Sequence, residues 1–552
     1  MSRQSAPKSV VPKLGKFKPR MKLPAYAKIG LIFLGCLLAV IATYRHTNMK
    51  LLRAENGAFQ RFAHESLEQQ LHLIRTFWTT QNHSHYIPIA FTSEFEFTRL
   101  AGMRVWLWRS RQIAALGLAA TLMFLLARSA ARVWQVRDIA ANSFAAGVTA
   151  VLIFQPLMNE VIAWPILFIH LIWISLVLFT LWSLVHLVSR PTESLWVWLA
   201  AIGAYGSMHF LGLGVTVVAA TILIFSFLLL GVQSGKLNEF RPIKSQLMVA
   251  LILLVIFGGA HALCMVLLPS NPPPPASNPG LHASFAEVVA LVALYPLAIA
   301  TSFGGVSSIL PINREVFGDP WPFGIVIAAA AIWIGLRFYR SALSRRTPAA
   351  LTRLILYVFS TIGFFGWIIM IGIREIYEMD RLGDFGFLIG PRYIVPISFL
   401  LVGIVLALIV PFLRRGWSVT AAFSIMIVGA AFWTHYNYDK NVYPRTRLLS
   451  SVSHVEAWHE LVATARESRS AHLKVPNVPM ATLGEGFKFL DLKFFEPMLR
   501  DDLELPAGEH CEFIDWVSCR EQERATYDAA VPSLRKVIEM LGLEETAGSR
   551  KN

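Results

Sequence analysis

Between residues 27 and 434 the chain carries one apolar stretch after another, each long enough to cross a bilayer. The loops between them set their Lys and Arg residues on alternate sides. Such a pattern folds as a polytopic helical bundle, because in hydrocarbon each backbone amide must be satisfied within its own segment. The work open to it is transport, channel formation or chemistry on a lipid-linked substrate. Composition agrees: of 552 residues, 55% are hydrophobic and 15% charged, against about 25% charged in soluble chains. The mean hydropathy is +0.52. The formal charge of +15 is not a nucleic-acid footprint, since the cations cluster at segment ends and no basic stripe is interleaved with aromatics.

The charge rule predicts about eleven spans, with the N-terminus inside and the C-terminus outside. They cover residues 27–44, 112–133, 139–158, 163–188, a hairpin across 195–231, 246–268, 321–338, 354–373, 393–413 and 419–434. Residues 1–26 form a basic cytoplasmic tail with Arg3, Lys8, Lys13, Lys16, Lys18, Arg20 and Lys22 and no acid before Ala27. The stretch after it reads as an uncleaved span, because Tyr44-Arg45-His46 is a poor cleavage site. Residues 45–111 make a long outer loop, amphiphilic and too polar to cross. Pro272 to Pro275 are a stiff spacer. Residues 284–302 read as a re-entrant or interfacial helix, since a full crossing would place Arg337, Arg340, Arg345 and Arg346 outside.

Residues 435–552 are read as a small extracytoplasmic domain of unassigned fold. The expected class is thus an all-α polytopic membrane protein with a C-terminal outer domain. Cys36 and Cys264 lie in apolar stretches and read as packing residues. Cys511 and Cys519 are a plausible disulfide if the tail lies outside the cytoplasm. No halves match as an inverted-repeat transporter requires, and no P-loop, dinucleotide fingerprint or HExxH helix is present.

The informative charges lie at the outer rim. The first loop ends in Ser93-Glu94-Phe95-Glu96-Phe97-Thr98-Arg99. A carboxylate there suits a general base for an acceptor hydroxyl, or a ligand for a divalent cation, Mg or Mn, that bridges a phosphate. Glu94 and Glu96 alternate with Phe95 and Phe97, so on a strand-like segment the two acids would share a face. The bland alternative is a solvated surface helix. Asn159 and Glu160 fall in a very short outer loop with little water to escape into, as acceptor or metal candidates or as a helix end at the headgroups. A third loop carries Arg374, Glu375, Glu378, Asp380, Arg381 and Asp384 and ends in Pro391-Arg392-Tyr393. An arginine just above a span can clamp a phosphate, or simply anchor the interface. His170, His209 and His261 lie in apolar stretches, and His209 is the best placed for a site near the outer face; an interhelical hydrogen bond is the alternative.

These short motifs, with the span count and the outer tail, resemble the GT-C superfamily of integral-membrane glycosyltransferases. The likeness is to bacterial members that have an Asn-Glu-His-Arg-like motif after the first loop, a Trp-Glu-Asn-like motif after span three and a late Ser-Arg-Tyr. Here the matching places read Ser93-Glu94-Phe95-Glu96 with Arg99, Met158-Asn159-Glu160 and Pro391-Arg392-Tyr393. Phe95-Glu96 replaces His-Arg, and Asn and Glu are in reversed order. The resemblance implies a polyprenyl-phosphate-sugar donor bound with its phosphate at the outer face of a bacterial inner membrane. Arg392 and Tyr393, with Arg99, would bind that phosphate, and Glu94 or Glu96 would deprotonate the acceptor in an inverting transfer. Alternatives are a lipid-linked oligosaccharide flippase or secondary transporter, a polysaccharide polymerase or ligase, and an inactive assembly partner.

Overall fold

The computed structural model describes residues 24–45, 47, 59, 62–63, 66–82, 86–102, 104–155, 157–271, 288–296, 321–382, 391–415 and 417–437, with strand pieces at 472–473 and 490–491. The fold is helical. The chain runs α1 Ala25–Tyr44, α2 Leu67–Thr79, α3 Pro88–Ala101, α4 Val105–Val133, α5 Asp138–Ile153 and α6 Met158–Ala163. A 3₁₀ turn, Pro165–Leu167, leads into α7 Phe168–Ser189, followed by α8 Leu195–Met208, α9 Gly214–Gln233 and α10 Lys244–Leu267. Then come α11 Trp321–Arg345, α12 Pro348–Leu382, α13 Pro391–Leu400, α14 Val402–Ile409 and α15 Trp417–Asn437.

Among the described residues eight helices are long and apolar enough to cross a membrane, and three shorter apolar helices accompany them. The protein is a multi-pass membrane protein. Its packing explains why a mean hydropathy this high does not make one dry core. Helices α4 and α7 are mostly buried at the centre, whereas α1, α10 and α11 bury few of their residues. Leu31, Leu34 and Leu38 on α1, Ile252, Val255 and Ile256 on α10, and Phe323, Val326 and Ile332 on α11 all face outward. Apolar patches this large suit lipid rather than water. Close contacts use small residues: a Cβ on Gly147 of α5 would lie 3.4 Å from Ser424 Cα on α15.

Side-chain contacts establish which helix ends share a side. Tyr44 Oη, at the end of α1, donates to Ile153 O at the end of α5 (2.6 Å), and its ring meets His435 near the end of α15. Gln81 donates from its backbone to Pro269 O (2.8 Å) and from Nε2 to Leu268 O (2.6 Å), tying the segment after α2 to the end of α10. There Gln81–Asn82 and Ser270–Asn271 form a two-residue parallel pairing. Ala90 N donates to His209 O (3.2 Å), which joins α3 to the turn between α8 and α9. In that turn Gly214 lies so close to the backbone of Ser207 and Met208 that a Cβ would overlap it. The opposite end carries the connections with Arg137, Arg190, Lys236, Arg241, Lys244, Arg345 and Arg346.

Most spans fall where the apolar runs place them, with extended ends. The second begins at Val105 instead of 112, and the ninth runs from Pro348 to Leu382 instead of 354–373. A helix satisfies its backbone internally, so it need not stop where the apolar run stops. The first outer loop holds two helices, α2 and α3, where only an amphiphilic loop was expected. Of the predicted 284–302 segment, residues 288–296 are helical and bury Ala290, Leu291, Leu294 and Tyr295. The expected outer domain lies almost wholly outside the described residues, as does the Cys511–Cys519 pairing. Cys36 is a buried free thiol and Cys264 a partly exposed one.

Candidate functional site

Helix α3 is set by a proline at its first position, whose missing amide costs nothing there, and it ends at Gly102 with φ +49°. Ile87, just before the proline, and Ala90, Phe91, Glu94, Phe95, Thr98 and Ala101 are buried, a stripe at helical spacing. Glu94 lies in the middle of that stripe and is fully buried. Glu96, about 200° further round, points to solvent. The strand-like reading, in which both acids share a face, is therefore corrected: fourteen residues of helix override four residues of alternation.

The two acids have separate arginines. Arg99 Nη1 lies 2.9 and 3.1 Å from the two carboxylate oxygens of Glu96, one turn earlier, and both side chains are about half exposed. Glu94 pairs instead with Arg111 of α4. Nη1 sits 2.9 Å from Oε1, and Nη2 donates to Oε2 at 3.0 Å. The Arg111 guanidinium lies over three rings, Phe97 at 4.3 Å, Trp108 at 4.7 Å and Phe168 at 4.2 Å. These rings exclude water while their faces stabilise the cation. Burial pushes the Glu94 carboxyl up to about 7, against the opposing pull of Arg111.

The pair also stitches the helix break before α7. Arg111 Nη2 donates to Pro165 O (3.0 Å), and Gln112 Nε2 donates to Trp164 O (3.1 Å) and Pro165 O (2.8 Å). Irregular backbone inside a membrane bundle needs such partners. Arg111 Nε and Gln112 Oε1 remain buried without a hydrogen bond. Sequence reasoning missed both residues, because Arg111 was read as the last residue of the loop. The available signal was an arginine next to an apolar run, for an arginine inside a span requires a partner.

Asn159 lies on α6, is buried, and has an Nδ2 without a hydrogen-bond partner. Helix α6 packs against α4, α7 and α13. Helix α13 opens with Pro391, Arg392 and Tyr393 and is linked to the turn before α6 by Gln155 Nε2 and Ser398 Oγ at 3.5 Å. The elements that carry Glu94, Asn159 and Arg392 thus meet at one end of the bundle. The side chains of Glu160, Arg392 and Tyr393 lie outside the described residues.

His209 belongs to a neighbouring cluster. Its ring stands edge-on to His261 (4.8 Å) and Tyr205 (4.9 Å), and His261 Nε2 lies 3.1 Å from Tyr86 O. His209 Nδ1 is buried without a hydrogen bond. This cluster clamps the start of α3 to α8 and α10.

Among the described residues no three His, Cys, Asp or Glu side chains gather as a cation site. Arg111 engages Glu94 through an ion pair at Oε1 and a hydrogen bond to Oε2, and Oε1 accepts no hydrogen bond. No protein-family model matches the chain, and no curated protein matches it significantly.

Proposed function

We propose that the chain is a membrane glycosyltransferase that moves a sugar from a polyprenyl-phosphate donor to an extracytoplasmic glycan, lipid or protein. The observation that supports this most is a fully buried carboxylate, Glu94, on a first-loop helix, docked at the same bundle end as α6 and α13. About eleven spans, counting the three shorter apolar helices, with the basic connections in the cytoplasm, would put that end outside. For a bacterial protein this is the periplasmic face of the inner membrane.

In the proposed step the Glu94 carboxylate takes the proton of an acceptor hydroxyl. The acceptor oxygen attacks the anomeric carbon as the bond from that carbon to the phosphate oxygen breaks. The phosphate leaves with the bonding electrons, and Arg392, with Tyr393, balances its charge. A base that titrates near neutral pH is well matched to this work. Glu94 is covered in the described arrangement, so the proposed step requires an opening beside Arg111 that admits the acceptor hydroxyl. Glu96 and Arg99 form a surface pair outside this step. No divalent ion is routed through the site.

A strain lacking the chain, complemented with wild type, Glu94→Gln or Glu96→Gln, tests the reading through its surface-glycan composition. Wild type and Glu96→Gln are expected to restore a sugar that the deletion loses, and Glu94→Gln is not. Full rescue by Glu94→Gln at equal membrane levels would remove the assignment.

A further inference from the structure

The opposite end of the bundle holds a group of cations that the proposed chemistry does not use. Lys28 lies in the first turn of α1, Arg128 and Arg132 lie in the last turns of α4, and Asp138 opens α5. Arg132 grips Asp138 through Nε (3.0 Å) and Nη2 (2.7 Å), both to Oδ1. Arg128 and Lys28 also lie within electrostatic reach of that carboxylate, and Arg128 lies within reach of Arg132. Of the three cations Arg132 alone touches the acid, and Arg128 lies one turn before Arg132 on the same helix.

Two further features ask for an anion. Arg128 Nε is buried with no hydrogen-bond partner. The first turn of α5 has no side-chain cap, and Asp138, the one acid in that turn, is already held by Arg132. Arg128 is partly buried, and its unpaired Nε is costly without an acceptor. The rim is amphipathic. Tyr26 and Ile139 are largely exposed, and the outward leucines Leu31, Leu34 and Leu38 continue from it along α1.

We propose that Lys28, Arg128 and Arg132, around Asp138, form a binding site for the phosphate of an anionic phospholipid, whose acyl chains lie along the exposed face of α1. The phosphodiester accepts charge-assisted hydrogen bonds from the guanidinium and ammonium groups, and its chains cover the apolar stripe. The site is independent of the transferase reading, and its test needs no activity.

The test uses the delipidated full-length protein in detergent, titrated with phosphatidylglycerol or phosphatidylcholine and read by native mass spectrometry. Phosphatidylglycerol is expected to bind about tenfold more tightly than phosphatidylcholine. Lys28→Gln and Arg128→Gln should each weaken it about fivefold, in line with about 1 kcal/mol per surface cation. Lys28 is exposed, so its substitution leaves the core intact even if the Arg128 variant folds poorly. Arg345→Gln with Arg346→Gln, exposed cations at another connection of the same end, should leave binding unchanged. Equal retention by the Lys28→Gln protein and wild type, or equal loss in the Arg345/Arg346 control, would overturn the site. Displacement of the lipid by millimolar inorganic phosphate would show a free-phosphate site and overturn the lipid assignment.

Discussion

Helix α3 carries two glutamates paired with two arginines, and the pairs differ in everything except residue type. Glu96 and Arg99 are one turn apart, half exposed, and solvated on the helix surface. Glu94 and Arg111 are seventeen residues apart, buried, ion-paired and ringed by Phe97, Trp108 and Phe168. An exposed pair is worth about 0–1 kcal/mol, because water competes for both charges. A buried pair contributes little net stability over an apolar substitute, but removing one member leaves a charge that nothing solvates. The comparison shows that the chemistry of an acid follows from where the fold puts it. Burial raises the proton affinity of Glu94 toward neutrality.

The largest expected effect is at Arg111. Arg111→Ala should destabilise the protein by about 3–5 kcal/mol in detergent unfolding, since it strands Glu94 among aromatic rings. The double variant Glu94→Gln/Arg111→Ala should recover part of that loss. Strict additivity of the two single variants would dissolve the buried pair as a unit.

Next comes Glu94 itself. On the transferase reading, Glu94→Gln should lower turnover by about 10²–10⁴-fold, the usual range for a lost general base. Wild-type rates should rise with pH through about 7 as the carboxyl ionises. Stability should move the other way. The folded carboxyl titrates near 7 and the unfolded one near 4.5, so across this window the fold keeps a proton that the unfolded chain has released. This group's contribution is fully present below about 4.5 and is lost as pH rises to about 7. Unfolding midpoints of wild type, referenced to Glu94→Gln at each pH, should decline across that range. A flat difference would contradict the raised proton affinity.

Smaller effects sharpen the contrast. Phe97→Leu keeps the volume roughly constant but removes a ring from the Arg111 cage, and should cost about 0.5–2 kcal/mol. Glu96→Gln and Arg99→Gln should change stability by no more than about 0.5 kcal/mol and leave transfer rates unchanged.

Much of the bundle was legible because the spans are long apolar runs, and length and hydrophobicity are local properties. The ends were not. Helix α4 begins at Val105, seven residues before its apolar run was read to start, and so carries Arg111 into the packed region. The acids near residue 94 were picked out, but Glu94-Phe95-Glu96-Phe97 offers only a short alternation, whereas the stripe from Ile87 through Phe91, Glu94 and Thr98 to Ala101 has the helical period and decides the outcome. The partner of Glu94 was beyond local reading, because a contact across seventeen residues depends on α3 folding back over the start of α4. Arg99, three residues from Glu96, was the partner that short-range spacing offers. His209 was singled out for polarity in an apolar stretch, and the fold gives it a clamp against His261 and Tyr205 rather than a place beside Glu94.

The most direct measurement is sugar transfer by the purified full-length protein in lipid nanodiscs. It would be supplied with polyprenyl-phosphate sugars and acceptor material from its own envelope, across a pH series, for wild type, Glu94→Gln and Glu96→Gln. The account predicts transfer that rises through about pH 7 in wild type and in Glu96→Gln, and none above background in Glu94→Gln. Equal transfer by all three proteins, or a loss confined to Glu96→Gln, would contradict it.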